Sequence, residues 1–299
     1  MSQFLMNYGV FIGGKADVPR GGSLKMAQRM KDKYLSLGGK LFLNKEVAEI
    51  AVEAGAIGMS NAAYLILKDG TTIQSDYIIA SCDAHITLKL LGKSYSEHEF
   101  DKRDENPEVY PLMSSVLHSF KVHDSMDNLP QMLTFIADID LYGTKQKTLN
   151  YKCYNFEPSF APKGKSIMQV TLFGGDYDFW KSLTKEEYEK TKKEGSEKII
   201  KAIEEKIPQL RGKLEQLDVA TPLTSERYCG AYKGSWMAWG KTNKSETLIH
   251  NGKINGIDNL FLAGQWLMPP GGLPLAISGK WAIQRIAKKE EMNWRIILI

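Results

Sequence analysis

Near its end the chain runs an apolar strand into a glycine, Asn259-Leu260-Phe261-Leu262-Ala263-Gly264, and then through Pro269-Pro270-Gly271-Gly272 toward a helix expected from near Pro274 to about Ile286. A short apolar run bounded by glycine reads as a buried strand, and proline costs little in a first helical turn because its missing donor would be unpaired there anyway. A strand that delivers a glycine turn to a helix N-terminus leaves backbone N–H groups at the positive end of the helix dipole, where an anionic ligand group is favoured. Gly264, Gly271, Gly272, Ala276, Ser278 and Gly279 leave almost no side-chain bulk in the way. The same small residues would equally suit a helix packed tightly on a strand, and Trp266 and Trp281 read as core aromatics before cofactor-stacking partners.

The remainder of the chain has to supply layers for that unit. Pro19-Arg20-Gly21-Gly22 precedes apolar positions at Leu24, Ala27, Met30, Tyr34 and Leu37, and Gly38-Gly39 follows, so the spacing predicts a glycine-bounded helix. Short strands are expected at Lys40–Leu43, Glu46–Val52, Ala62–Leu67, Thr72–Ser75 and Tyr77–Ser81, with a turn at Asp69-Gly70. From about residue 93 the texture changes to alternating runs at Ser114–Val122, Gln131–Ala137, Leu149–Phe156 and Ser166–Phe173, which predict an antiparallel sheet whose apolar face turns toward a cavity. Thr184 with Glu187 forms a capping-box pattern, and Leu183 with Tyr188 a staple, opening a helix with a buried stripe of Ile199, Ile200, Ile203 and Ile207 that Pro208 closes.

Composition narrows the classes of function. With 43% apolar and 25% charged residues in 299, the chain can bury a full core. A net charge of +4 and a pI near 8.7 are too mild and too evenly spread for a nucleic-acid partner. Cys82, Cys153 and Cys229 lie too far apart for a CxxC pair or a disulfide framework, which fits a reducing cytoplasm. No apolar run reaches the roughly 20 residues of a membrane span, so the expectation is a cytoplasmic protein, with peripheral membrane contact left open. His118 and His123 fall on opposite strand faces and predict no metal site. Asp138 and Asp140 carry no second mark of acid–base work.

Three blocks in order resemble the phytoene desaturase and retinol saturase-like FAD-dependent oxidoreductases, within the amine-oxidase-like superfamily. The first is Pro19-x-Gly21-Gly22 with its helix, Asn44 to Val47, Ile50, the Asp69-Gly70 turn and Asp76–Asp83. The second is Ala220-Thr221-Pro222-Leu223-Thr224-Ser225-Glu226-Arg227-Tyr228 with Gly230, Tyr232, Gly234 and Trp239. The third is Ala263-Gly264-Gln265-Trp266-Leu267-Met268-Pro269-Pro270-Gly271-Gly272-Leu273-Pro274.

The resemblance implies an α/β (α+β) protein: an incomplete FAD-binding Rossmann-like domain plus an antiparallel-sheet substrate domain. Residues 1–92 and the returning 255–299 would belong to the first, and 93–254 to the second. Val47, Gly264, Gln265, Pro270, Gly271, Gly272 and Leu273 would contact FAD, while Glu226, Arg227, Tyr228 and Trp239 would border an apolar substrate. No G-x-G-x-x-G occurs in the sequence, although dinucleotide folds place the pyrophosphate on such a turn. The expectation is therefore hydride chemistry on a long apolar polyene within a longer or two-chain protein, the N-terminal half being a possible second chain, with weak or no FAD binding by this chain alone. Two alternatives stand beside it: a non-catalytic fragment or partner-dependent subunit, and a related flavin amine or porphyrinogen oxidase.

Overall fold

The structure is a computed structural model and describes residues 18–54, 60–92, 94–269 and 277–292. Helix α1 (Gly22–Ser36) leads to an antiparallel sheet of β1 (Val47–Ala54), β2 (Ser60–Leu67) and β3 (Thr72–Gln74). Then follow β4 (Ile78–Ala80), α2 (Ala84–Leu91) and α3 (His98–Asp104). The middle of the chain forms β5 (Ser115–Val122), β6 (Met132–Leu141), β7 (Thr144–Cys153) and β8 (Ser166–Phe173), then α4 (Tyr177–Ser182), α5 (Lys185–Lys206), β9 (Leu214–Ala220) and α6 (Pro222–Cys229). Finally β10 (Leu260–Leu262) pairs in parallel with β4, and α7 (Ile277–Lys289) closes the described chain.

The alternating runs make a five-stranded sheet in the order β6-β7-β8-β5-β9, antiparallel at every junction. On β5 and β8 every second residue is buried, the period a pleated strand with one covered face requires. The cover differs from the expectation. Phe120, Val122, Tyr151, Met168 and Val170 pack against Trp180 of α4 and Ile199 and Ile203 of α5, so helices, not a cavity, fill the apolar face. The reason is the length of α5: 22 residues whose capping box, with Thr184 and Glu187 bonded reciprocally, starts an isoleucine stripe that spans the sheet.

A latch fastens this layer. Tyr142 and Gly143, with φ of 54° and 72°, form a two-residue loop between β6 and β7, the sign that hairpin geometry demands. The Tyr142 hydroxyl reaches His118 Nε2 at 2.8 Å, and His118 Nδ1 meets Ser196 Oγ of α5 at 2.9 Å. Gly195 leaves the notch: a Cβ there would strike the tyrosine hydroxyl.

A second core gathers remote pieces: Ile50, Ile78, Phe100, Tyr110, Trp239, Ile254, Leu260, Leu262 and Trp266. The strand expected at Lys40–Leu43 is absent from it and has no ladder partner among the described residues.

Burial, with Lys192 adding to it, pushes the His118 imidazole down from 6.5 to about 4. The unfolded chain therefore takes up this proton first. The contribution is intact above pH 6.5 and falls away as the pH drops toward about 4, by about 3 kcal/mol in all. Urea unfolding across that range should show this loss in the parent and lack it in His118→Gln.

Candidate functional site

Where β4 and β10 end, their two loops face each other. Ser81, Cys82 and Asp83 follow β4, and Ala263, Gly264, Gln265 and Trp266 follow β10. Ser225 and Cys229 of α6, Ala231, Ser235, Trp236, and Ser278 and Gly279 of α7 complete the wall of a cavity of about 560 Å³. A crevice at the carboxyl ends of parallel strands is where open α/β sheets bind ligands. Gly264 has φ 117° and ψ −170°, a conformation essentially confined to glycine. Its N–H donates to Ser278 Oγ at 2.7 Å, which ties the loop to α7.

Behind the wall lies an ionic knot. Asp83 caps α2, accepting from the His85 N–H at 2.9 Å, and its other oxygen accepts from the Tyr232 N–H at 2.8 Å. The His85 ring stands between two carboxylates, with Nδ1 3.1 Å from Asp83 and Nε2 2.8 Å from Asp104. Asp104 also accepts from the Trp239 indole at 3.0 Å. Tyr232 stacks on the imidazole with centroids 3.8 Å apart, and Trp266 meets it edge-on at 4.5 Å. Burial opposes charge on His85, but hydrogen bonds to Asp104 and Asp83 outweigh it and hold the imidazole above its ordinary value.

The residues singled out in the sequence take different places. Gly264 and Gln265 line the cavity, whereas Val47 packs on the edge of the second core away from it. Pro270, Gly271, Gly272 and Leu273 lie outside the described residues. On α6 the four-residue spacing of Ser225 and Cys229 turns those two to the cavity, and the charged residues between them make surface contacts. Glu226 accepts from Tyr177 at 2.8 Å with Lys181 at 3.6 Å, and Arg227 donates to an exposed Tyr228. Trp239 is a buried member of the knot and does not line the cavity. Asp83, His85 and Asp104 were not legible as a group. The one local signal was the capping position of Asp83 before an apolar helix.

The sequence profile described as flavin containing amine oxidoreductase matches residues 3–281. The chain belongs to that family. Among curated relatives it is 24% identical to the chloroplastic prolycopene isomerase of Daucus carota, over 92% of this chain and 44% of that protein. It is 21% identical to the 4,4'-diapophytoene desaturase of Methylomonas sp., over 93% of this chain and 55% of that protein. The chain thus spans about half the length of the curated relatives it matches. The crystal structure of an oxidoreductase from Methanosarcina mazei superimposes with a TM-score of 0.55 at 14% identity, over 90% of this chain and 55% of that one, and shows the shared fold. The mixed helix and antiparallel-sheet architecture is that of a flavoprotein of this family, and the sequence blocks are of the phytoene desaturase-like kind.

Two substitutions test the geometry. Gly264→Ala should lower stability by about 1–3 kcal/mol, because its backbone conformation is strained for any other residue. His85→Ala should cost most below pH 6.5, where the imidazole is charged in both folded and unfolded chains. The gap from the parent should shrink as the pH rises through the elevated folded value, since that contribution is lost on deprotonation. Denaturant midpoints measured on both chains across that range check the sign.

Proposed function

We propose that this chain supplies the flavin-ring end and the substrate-facing part of an FAD-dependent oxidoreductase that transfers hydride to or from a long apolar polyene of the carotenoid or retinoid type. The observation that carries this is the cavity at the ends of β4 and β10, walled by Gly264, Gln265 and Trp266 in a chain of the flavin amine oxidoreductase family. The cavity suits a flat, uncharged ring edge. Gly264 leaves open space, with Ser81 O the nearest atom to a Cβ built there, at 3.7 Å. The Trp266 indole N–H is buried and has no acceptor among the described residues, so what this ring offers the cavity is apolar surface.

Bound FAD supplies the hydride donor or acceptor, and the protein's part is to bind, orient and exclude water. Trp266 and Trp236 would present apolar surface, and Ser225 and Gln265 hydrogen-bonding groups. Asp83, the one carboxylate among the described residues of the wall, is committed to His85 and Tyr232, so we assign no general acid or base. The carotenoid-enzyme relatives favour a polyene over an amine or porphyrinogen. Glu226, Arg227 and Tyr228 would act on substrate only beyond the cavity described here. Within this reading residues 1–92 and 255–299 belong to the flavin domain and 93–254 to the substrate domain. No described helix is long and apolar enough to cross a membrane. A cytoplasmic location with peripheral membrane contact suits delivery of an apolar substrate.

The chain alone should bind FAD weakly or not at all, because it has no G-x-G-x-x-G turn for the pyrophosphate. A stoichiometric yellow preparation of the single chain would contradict that. In a preparation that does hold FAD, flavin should shield Cys82 and Cys229, both exposed cavity residues, from alkylation. Cys153, buried in the first core, should stay unreactive throughout. Equal labelling of Cys82 and Cys229 with and without flavin would remove the cavity from the flavin site, and failure to oxidise or reduce any polyene in such a preparation would remove the substrate class.

A further inference from the structure

A second hollow lies along helix α7, beyond the turn that meets the glycine loop. Ser278 and Gly279, in the first turn, border the cavity at the ends of β4 and β10, whereas Trp281, Gln284, Arg285 and Lys288 line a separate recess of about 470 Å³ with His250 and Asn251. The two share no wall residue. Offsets of three, four and seven residues put the four helical side chains on one face, and the rise per residue sets Trp281 and Lys288 about 10 Å apart along the axis.

These side chains are not engaged elsewhere. Trp281 is half-buried and meets no other ring among the described residues. Arg285, half-buried, and Lys288, exposed, join no ion pair among the described residues, and the Glu290 carboxylate is taken by the Tyr77 hydroxyl. Asn251 Oδ1 accepts from the Lys253 N–H at 2.7 Å, which leaves the Asn251 amide NH2 as a donor. The adjoining wall is fixed. Buried His250 accepts the Gly252 N–H on Nδ1 at 3.0 Å, holds Nε2 3.4 Å from Glu97, and donates its own backbone N–H to Leu267 O at 2.6 Å. Glu97 lies behind that ring and does not line the recess.

An exposed lysine in a last helical turn needs no ligand, since it suits the negative end of the dipole. That accounts for Lys288 but not for Arg285, which sits a turn earlier beside a tryptophan and is half-buried without a counter-ion among the described residues, an arrangement that costs free energy until an anion arrives.

We propose that this recess binds a nucleoside phosphate, with the base on Trp281 and the phosphate oxygens on Arg285 and Lys288. A guanidinium fork matches phosphate oxygens, and an aromatic face accepts any base. Asn251 and Gln284 supply amides for the base edge or the ribose. An inorganic anion would leave the ring unused, an apolar ligand would leave the cations unused, and a lipid headgroup offers phosphate without a ring. The site is independent of the flavin reading, which rests on the other cavity.

Equilibrium dialysis of the full chain against ADP, adenosine and inorganic phosphate tests this. ADP should bind one to one and about tenfold or more tighter than either of the others, because each of those fills only part of the recess. In the parent chain ADP should slow hydrogen exchange over residues 281–289 and 248–252, and leave alkylation of Cys82 and Cys229 on the other cavity unchanged. Arg285→Gln should weaken ADP about ten- to a hundredfold and Trp281→Leu about tenfold, while Trp281→Phe keeps most of the affinity. Arg29→Gln, which removes an exposed cation on α1, should change nothing. Several results would overturn the proposal: no saturable binding, ADP no tighter than phosphate or adenosine, shielding of Cys82 by ADP, or affinity for phosphatidylglycerol vesicles without affinity for ADP. So would an Arg285→Gln chain that keeps its thermal midpoint and binds ADP as the parent does. Should that variant fail to fold, the exchange and alkylation patterns of the parent chain decide.

Discussion

The cavity depends on one buried imidazole. His85 binds Asp83 on one side and Asp104 on the other, and through them draws together the end of β4, the end of α3 and the Tyr232 turn, which are remote in the chain. Phe100, Tyr232, Trp239 and Trp266 close around the ring, so the knot is held by aromatic area as well as by charge. A buried ion cluster is a poor source of net stability, because desolvation cancels much of the Coulomb gain. Its effect here is positional. With both ring nitrogens engaged, Asp83 has its two oxygens committed to His85 and Tyr232 and Trp266 is packed edge-on to the ring, and both of them line the cavity.

The two cores differ in how much of them the sequence displays. The five-stranded sheet and its helix are written in local patterns: alternation on β5 and β8, the Thr184 and Glu187 cap, and the isoleucine stripe ended by Pro208. What covers the sheet was less legible. Alternation identifies a buried face without saying whether a helix or a cavity lies over it, and here α5 takes the place expected for a cavity. The capping position of Asp83 could be read from its neighbours, but its link to Tyr232 spans 149 residues and no period reports it. Glu226 and Arg227 illustrate the opposite limit. Adjacent in a family-like segment, they turn to separate partners because neighbours on a helix point about 100° apart.

Lys40–Leu43 shows why a sound local reading can find no matching element. Strand propensity expresses packing on a pleated, half-buried surface, not a preference of the isolated backbone. Without a neighbouring strand among the described residues, the same apolar side chains lie exposed.

That contrast bears on how the cavity behaves. The first core is closed by a five-stranded sheet with one long helix laid across it. The second rests on two parallel strands of three residues each, a knot of charges and an aromatic cluster, with no further strand beside them among the described residues. Its order is therefore the more sensitive to whatever binds the folded state, since a ligand stabilises only the conformation that receives it. Any ligand that fills the cavity at the ends of β4 and β10 would then order Asp83, Gly264 and Trp266 together, because all three stand on its wall.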